Sequence, residues 1–189
     1  MFLEMTVLII GLGMIAAIVI YTVLTGTPPT PSSSKVCRYM IEILPPRLPS
    51  VANGRIYELG AGWGGVSQVL ADRFSPISVV GIELSPIPFS IASLRKLISP
   101  RPNLEFRRAN FFKVDLSDAT LVVCYLSRDA LVKLRPKLER ELAPEALIVS
   151  NTFAVPGWRA LDVVRAPDLY RSPVYLYERS EAVARSSQS

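Results

Sequence analysis

The strongest constraint on the fold is a glycine-rich segment at residues 56–65, Ile-Tyr-Glu-Leu-Gly-Ala-Gly-Trp-Gly-Gly. A short apolar run ends here in a tight turn, and the missing side chains let a ligand lie against the backbone. The helix expected after the turn points its free N–H groups at that ligand. The next apolar run, residues 77–82, is followed by Glu83, where an acid can accept hydrogen bonds from a ribose diol. The pattern predicts a nucleotide-type cofactor site.

Two cofactor classes fit these glycines. Gly60, Gly62 and Gly65 match the dinucleotide fingerprint, with Glu83 close to the expected distance downstream. Glu58 and the glycines after it instead resemble motif I of the class I S-adenosylmethionine-dependent methyltransferases. A carboxylate beneath the turn would repel a pyrophosphate, whereas it attracts the sulfonium and α-amino groups of S-adenosylmethionine. The acid therefore favours S-adenosylmethionine, with NAD(P) or a turn without any ligand as alternatives.

The resemblance to class I methyltransferases implies a set of cofactor-binding residues around the turn and the strand ends. At the adenine, Asn110 stands where many members of the class have Asp, and its amide oxygen can still accept from the exocyclic amine. Trp63 either closes over the adenosine or packs against the neighbouring helix. The full set implied by the resemblance is Glu58, Gly60, Ala61, Gly62, Trp63, Gly64, Glu83, Leu84, Asn110 and Phe111.

The rest of the chain predicts an α/β fold with a Rossmann-like, doubly wound sheet, because apolar runs alternate with helical patterns. Two late apolar runs, residues 161–165 and 174–178, suggest the C-terminal antiparallel hairpin of the class I methyltransferase fold, where a dinucleotide-binding domain would continue with parallel units. The other predicted strands are residues 55–59, 77–83, 104–108, 119–125 and 146–150. The predicted helices are one that begins near Lys35 and is ended by the prolines from Pro45 on, and residues 64–74, 87–98 and 128–142.

A long apolar segment near the N-terminus predicts a membrane anchor. Residues 6–26 contain no charged side chain, and about 20 apolar residues are enough to cross a bilayer as a helix. A signal peptide is the alternative, but the basic region and the Ala-x-Ala cleavage site of such peptides are missing. Glu4 precedes the segment, whereas Lys35 and Arg38 follow it. This asymmetry places the C-terminal domain in the cytoplasm of a bacterium with the anchor in its inner membrane, or on the matrix side of an organelle.

These features divide the chain into an anchor at residues 1–27, a methyltransferase domain at residues 28–180 and a disordered tail at residues 181–189. An anchor, a Pro-Thr-Pro segment and a compact methyltransferase core together resemble the membrane-anchored protein-lysine methyltransferases, whose eukaryotic members modify inner mitochondrial membrane proteins. That family usually has Asp where this chain has Glu58, and a further acid inside the turn where this chain has Trp63. The resemblance implies methylation of lysine in a membrane or membrane-proximal protein.

Composition excludes several other chemistries. Histidine is absent, which rules out histidine metal ligands, a Ser-His-Asp triad and a histidine general base, and no metal site is expected. The net charge is +5, but the basic residues are scattered along the chain and are not interleaved with aromatic residues. Nucleic acid is therefore not the expected substrate.

The methyl acceptor is expected past the carboxyl ends of the fourth and fifth strands, where Tyr125, Ser127, Asn151 and Phe153 emerge. Tyr125 is the candidate for steering the acceptor, although an aromatic at a strand end can equally fill the core. The sequence does not choose the acceptor. A lipid or small apolar molecule, and a membrane-tethered binding protein that has lost turnover, remain alternatives to a lysine side chain.

Overall fold

The computed structural model describes residues 4–9, 11–13, 16, 34–51, 53–168 and 170–180 of the 189-residue chain. Residues 4–9 and 11–13 are helical. Within the described residues, no helix is both long and apolar enough to cross a bilayer. Most of the predicted anchor, residues 6–26, lies outside the described residues, as does the whole of the predicted tail at residues 181–189.

Helices and strands alternate as expected through most of the described chain. The strands are β1 (Arg55–Leu59), β2 (Val79–Glu83), β3 (Leu104–Arg108), β4 (Ala119–Cys124), β5 (Leu147–Asn151), β6 (Asp162–Arg165) and β7 (Pro173–Glu178). The helices are α1 (Ser34–Glu42), α2 (Gly65–Arg73), α3 (Pro86–Ile98) and α4 (Arg128–Glu141), and a short 3₁₀ helix covers Phe111–Lys113.

The strands form one seven-stranded sheet in the order β3-β2-β1-β4-β5-β7-β6. Strands β1 to β5 pair in parallel, and β7 runs antiparallel to both of its neighbours, β5 and β6. The predicted doubly wound sheet and the C-terminal antiparallel hairpin are therefore confirmed. The chain order of the strands reverses between β1 and β4, and ligands of such sheets bind at the carboxyl ends of the strands beside this point.

Each face of the sheet packs on its own apolar cluster. On one face, side chains of β1 and β4 pack with α1 and α2, as Ile56, Val123, Met40 and Leu70 show. On the other face, one stripe of α4 is fully buried against the sheet. That stripe consists of Leu131, Leu134 and Leu138, each 0 % exposed. These three leucines have the helical spacing of an amphipathic helix.

The predicted element ends are close to those observed, with one instructive difference. The second strand was expected from residue 77 and begins at Val79. The Ile77 N–H donates to the Phe74 carbonyl at 2.8 Å, so the backbone there still closes the turn that follows α2. An N–H that is engaged in a turn is not available to the neighbouring strand.

Candidate active site

The glycine turn between β1 and α2 is fixed to the end of β2 by backbone hydrogen bonds. The N–H groups of Gly60 and Ala61 both donate to the Ile82 carbonyl at 2.9 Å. Gly62 follows with φ +52°, a conformation that side-chain-bearing residues rarely adopt. Apart from Gly62 itself and its two chain neighbours, no described residue has a heavy atom within 4 Å of the position that a Cβ on Gly62 would take. The turn is therefore open at Gly62, and a ligand could lie against the backbone there.

Gly64 is needed for close packing of the turn against its neighbours, and it does not face the open side of the turn. It has φ +77° and is the N-cap of α2. A Cβ at this position would lie 2.5 Å from Cζ of Phe106 and 2.9 Å from Cβ of Ala92. Because α3 and β3 approach the backbone this closely, Gly64 holds the turn against the neighbouring elements while Gly62 faces open space.

Glu83 links the end of β2 to the glycine turn. One carboxylate oxygen, Oε2, accepts from the Gly62 N–H at 2.8 Å, and the other, Oε1, accepts from the Ser85 N–H at 2.7 Å. The side chain is 8 % exposed. Each carboxylate oxygen has two lone pairs, so the group can hold the turn and still accept hydrogen bonds from a ligand diol.

Glu58 lies beneath the turn and not in its opening. It is 7 % exposed, and its Oε2 accepts a short hydrogen bond from the Ser67 hydroxyl of α2. Burial raises the pKa of Glu58 to about 8, and the nearby Glu83 adds to the rise. Hydrogen bonds from the hydroxyl and backbone N–H of Ser67 oppose that rise. A cationic group placed over the turn would favour the ionised form of Glu58.

Ser67 is a site residue that the sequence reasoning missed. It is 0 % exposed although it is polar. The available signal was a small hydroxyl residue on a helix face otherwise occupied by Val66 and Leu70. A buried polar residue on a core-facing helix surface requires a polar partner, and here that partner is Glu58.

The residues predicted to hold adenine are assembled at the ends of β2 and β3. The Ala109 N–H donates to the Glu83 carbonyl at 3.1 Å, which brings the following segment next to the β2 end. Oδ1 of Asn110 accepts from the Phe112 N–H at 3.0 Å and so caps the 3₁₀ helix. The Phe111 and Phe112 rings are 4.5 Å apart between centroids. The predicted contact Leu84 is half-buried at the same edge.

Trp63 is the remaining predicted contact in the turn. Its backbone carbonyl accepts from Nη1 of Arg95 at 3.1 Å, and its side chain is half-buried. The turn is thereby tied to α3 through the backbone carbonyl of Trp63. Closure of the indole over the adenosine stays a prediction.

The predicted acceptor side is occupied by aromatic and polar side chains at the carboxyl ends of β4 and β5. Tyr125 directly follows β4 and is 37 % exposed, and Phe153 is 39 % exposed. Asn151 ends β5 and is only 2 % exposed. Ser127, also expected here, instead accepts from the Ala130 N–H and caps α4. The structure therefore brings an exposed tyrosine and a buried amide to the edge beside the glycine turn.

These residues fit S-adenosylmethionine. The opening at Gly62 has room for a ligand against the backbone, and the N-terminus of α2 can receive the carboxylate of its methionine part. The buried acid Glu58 suits a cationic ligand, because a positive charge over the turn favours its ionised form, whereas the negative charge of a pyrophosphate would oppose that ionisation. Glu83 ends β2 with lone pairs that a ribose diol could use, and Asn110 and Phe111 follow β3, where the resemblance to class I methyltransferases predicts adenine.

The sheet order and the glycine turn together define a class I methyltransferase, and S-adenosylmethionine is its cofactor. The family model of the ANTKMT methyltransferase domain matches residues 58–162. The chain belongs to this methyltransferase family.

Three similar proteins illustrate the relationship. A protein-lysine N-methyltransferase of Saccharolobus islandicus is 33 % identical over 154 residues, which cover 79 % of this chain and 92 % of that protein. The adenine nucleotide translocase lysine N-methyltransferase of Mus musculus is 30 % identical over 112 residues, 59 % of this chain and 48 % of that protein. The crystal structure of an RNA methyltransferase from Salinibacter ruber in complex with S-adenosyl-L-homocysteine has a TM-score of 0.67 and 30 % identity, covering 80 % of this chain and 95 % of that one.

Proposed function

We propose that this enzyme transfers a methyl group from S-adenosylmethionine to the side-chain amine of lysine in a protein. The observation that carries the proposal is the similarity to the archaeal protein-lysine N-methyltransferase, which extends over 92 % of that protein's length. The mouse relative is also a lysine N-methyltransferase, although the chain spans about half of its length. The acceptor side of the site agrees with a lysine, because its exposed side chains include two aromatic rings, Tyr125 and Phe153.

The cofactor-binding residues in this proposal are those predicted from the sequence, with Ser67 added as the partner of Glu58. Backbone at Gly60, Ala61 and Gly62 forms the floor of the opening, and Glu83 accepts from the ribose hydroxyls. Gly64 holds the turn against α3. The remaining residues cover the adenosine and are Trp63, Leu84, Asn110 and Phe111.

The bound cofactor supplies a methyl group that its sulfonium has already activated for attack. A lysine amine can attack only when neutral, and its ordinary pKa is about 10.4. Apolar surroundings lower that pKa because they disfavour the ammonium form. The rings of Tyr125 and Phe153 provide such surroundings and also attract the ammonium before it loses its proton.

The transfer itself requires orientation more than acid–base chemistry. The lysine nitrogen forms a bond to the methyl carbon as the sulfur–carbon bond breaks, which leaves S-adenosylhomocysteine and a methylated ammonium. The proton that the lysine loses before attack goes to water, and the methylated product stays an ammonium near neutral pH. Tyr125 directs the amine along this line, since it stands at the end of β4 beside the glycine turn that follows β1.

We include a membrane anchor in the proposal on the basis of the uncharged segment at residues 6–26. The anchor would place the methyltransferase domain, residues 28–180, next to membrane proteins on the cytoplasmic or matrix side. Ile18→Arg should release the full chain from the membrane fraction, because a charge at mid-segment opposes insertion. Val132→Arg, at an exposed position of α4, is the matched control and should stay with the membrane. Wild-type protein in the soluble fraction would refute the anchor.

The acceptor class is tested by supplying tritiated S-adenosylmethionine to separated protein, RNA and lipid fractions of cells that lack the gene. Label in the protein fraction is the expected result. Label in RNA would indicate an RNA methyltransferase, as the Salinibacter ruber protein is described. Label in lipid would indicate a lipid or small apolar acceptor. Label in none of the fractions would indicate a binding protein that does not turn over.

A further inference from the structure

The side chain of Asn151 contains a buried oxygen without a hydrogen bond. The residue is 2 % exposed, and Oδ1 has no hydrogen-bond partner among the residues that the structure describes. Buried amide oxygens are nearly always paired, because an unpaired one loses its hydration without replacement. An unpaired buried oxygen at the carboxyl ends of the strands, where ligands bind, indicates that its hydrogen-bond donor is supplied by a ligand.

The fold places Asn151 next to the candidate acceptor-steering residue. In the β4–β5 register, Cys124 pairs with Ser150, so Asn151 at the end of β5 and Tyr125 directly after β4 are each one residue further along. Strand alternation sets Asn151 on the same face of the sheet as Val149. On the other side of β4, Leu59 pairs with Cys124, so the glycine turn begins at the same level.

The backbone after Asn151 is held in an uncommon conformation. Thr152 has φ +67°, and such residues cluster at functional sites. Its N–H donates to the Pro173 carbonyl at 2.7 Å, and the Phe153 N–H donates to the Asn151 carbonyl at 2.8 Å. These two hydrogen bonds end β5 abruptly. They fix the backbone that follows Asn151 at the carboxyl end of β5, and Phe153 lies exposed beyond it.

We propose that Oδ1 of Asn151 accepts a hydrogen bond from the lysine amine that is to be methylated. The inference rests on the proposed function and adds a positioning residue to Tyr125. An amide oxygen suits this role because it is neutral. A carboxylate in its place would stabilise the ammonium and so hinder loss of the proton, whereas an amide can hold the neutral amine by its N–H and leave the lone pair free.

Asn151→Leu separates this role from a structural one. Leucine has nearly the same size and removes the unpaired oxygen, so the melting temperature should stay the same or rise. A residue that only supported the fold would instead lose stability on this change. Asn151→Asp keeps an acceptor oxygen at the same place and is the rescue variant for amine binding, although its charge should slow methyl transfer.

The test uses a pair of nitrogen-for-sulfur analogues of S-adenosylmethionine. One carries a 2-aminoethyl group in place of the methyl, so that its amine occupies the acceptor position, and the other carries propyl. Binding of both to the full chain is measured by calorimetry, with S-adenosylhomocysteine as the reference. Wild type should bind the aminoethyl analogue about 10-fold or more tightly than the propyl analogue. Asn151→Leu should abolish that preference without changing the affinity for S-adenosylhomocysteine, and Asn151→Asp should retain it.

The outcomes distinguish the two proposals. If wild type shows no preference for the amine, the site does not recognise an amine acceptor and the lysine proposal fails with this one. If wild type prefers the amine and Asn151→Leu keeps the preference, the lysine proposal stands and the role of Asn151 is refuted. Loss of S-adenosylhomocysteine binding or a lower melting temperature in Asn151→Leu would assign the residue to the fold.

Discussion

The carboxylate of Glu83, at the end of β2, accepts a hydrogen bond from the backbone N–H of Gly62 in the glycine turn, with 2.8 Å between the two atoms. Its second oxygen accepts from the Ser85 N–H. One buried side chain thus holds the turn, contacts the N-cap residue of α3 and keeps lone pairs for a ribose diol. The two strongest features of the sequence, the glycines and the downstream acid, therefore form one structural unit.

Glu83→Gln should weaken cofactor binding. The amide has one acceptor oxygen, so it cannot accept from both N–H groups, and hydrogen bonds to charged groups contribute about 1.5–3 kcal/mol each. We expect the affinity for S-adenosylhomocysteine, measured by calorimetry, to fall about 10- to 100-fold. Glu105→Gln, at an exposed position on the neighbouring strand β3, is the control and should bind normally. Unchanged binding by Glu83→Gln would show that Glu83 does not contribute to cofactor binding.

Two alanine substitutions in the turn should have opposite consequences. Gly62→Ala adds a Cβ to open space at φ +52°, so the free energy of unfolding should fall by only about 1 kcal/mol. The same Cβ should block binding of the cofactor. Gly64→Ala drives a Cβ to 2.5 Å from Phe106 and should cost the fold about 1–3 kcal/mol more through overpacking. Urea unfolding and binding of S-adenosylhomocysteine measure the two effects. Equal stability of the two variants would contradict the assignment of one glycine to the opening and the other to packing.

The stability of the protein should carry a pH dependence that comes from Glu58. Burial raises the pKa of this carboxyl from 4.5 to about 8, so between these values the folded state holds a proton that the unfolded state releases. The stabilisation that the folded state gains from this bound proton is fully present below pH 4.5 and is lost as the pH rises to about 8. The free energy of unfolding should fall by at most about 1.4 kcal/mol per pH unit across this range.

Glu58→Gln tests that dependence, because glutamine resembles the protonated acid and cannot ionise. The difference in the free energy of unfolding between Glu58→Gln and wild type should move in favour of the variant from pH 5 to pH 8. Glu145→Gln, at an exposed position, is the matched control. A constant difference across this range would show that Glu58 is ionised in the folded protein.

Tyr125→Ala should impair methyl transfer while leaving the affinity for S-adenosylhomocysteine unchanged, because the residue is placed to steer the acceptor and not the cofactor. We expect kcat/KM for the acceptor to fall about 10-fold or more. Tyr125→Phe, which keeps the ring, should retain most of the activity. Tyr170→Ala removes a tyrosine that is 84 % exposed and serves as the control. A normal rate of methyl transfer by Tyr125→Ala would show that Tyr125 does not steer the acceptor.

The sequence was sufficient for the features that depend on local order. The apolar runs predicted each strand to within about two residues, and the C-terminal hairpin distinguished the methyltransferase fold from a dinucleotide-binding domain. The spacing from Gly62 to Glu83 was informative because the turn and the second strand end follow each other along the chain. Fold and cofactor class were therefore predictable from the order of residues.

The contacts that depend on tertiary packing were not predictable in the same way. The pairing of Ser67 with Glu58 joins a helix to a strand through their facing surfaces, and the sequence does not give that alignment. Burial of Asn151 without a partner for Oδ1 depends on how β4, β7 and the loop after β5 enclose it. The capping of the 3₁₀ helix by Asn110 is a local contact in the loop that follows β3.

The central claim, methylation of a lysine side chain, is tested most directly by mass spectrometry. Proteins from cells that lack the gene are incubated with the full chain and trideuteromethyl-labelled S-adenosylmethionine, and peptides carrying the label are sequenced. The account predicts label on lysine side-chain nitrogen, absent when Gly62→Ala replaces the wild type. Label confined to another residue type, or equal label with both proteins, would contradict it.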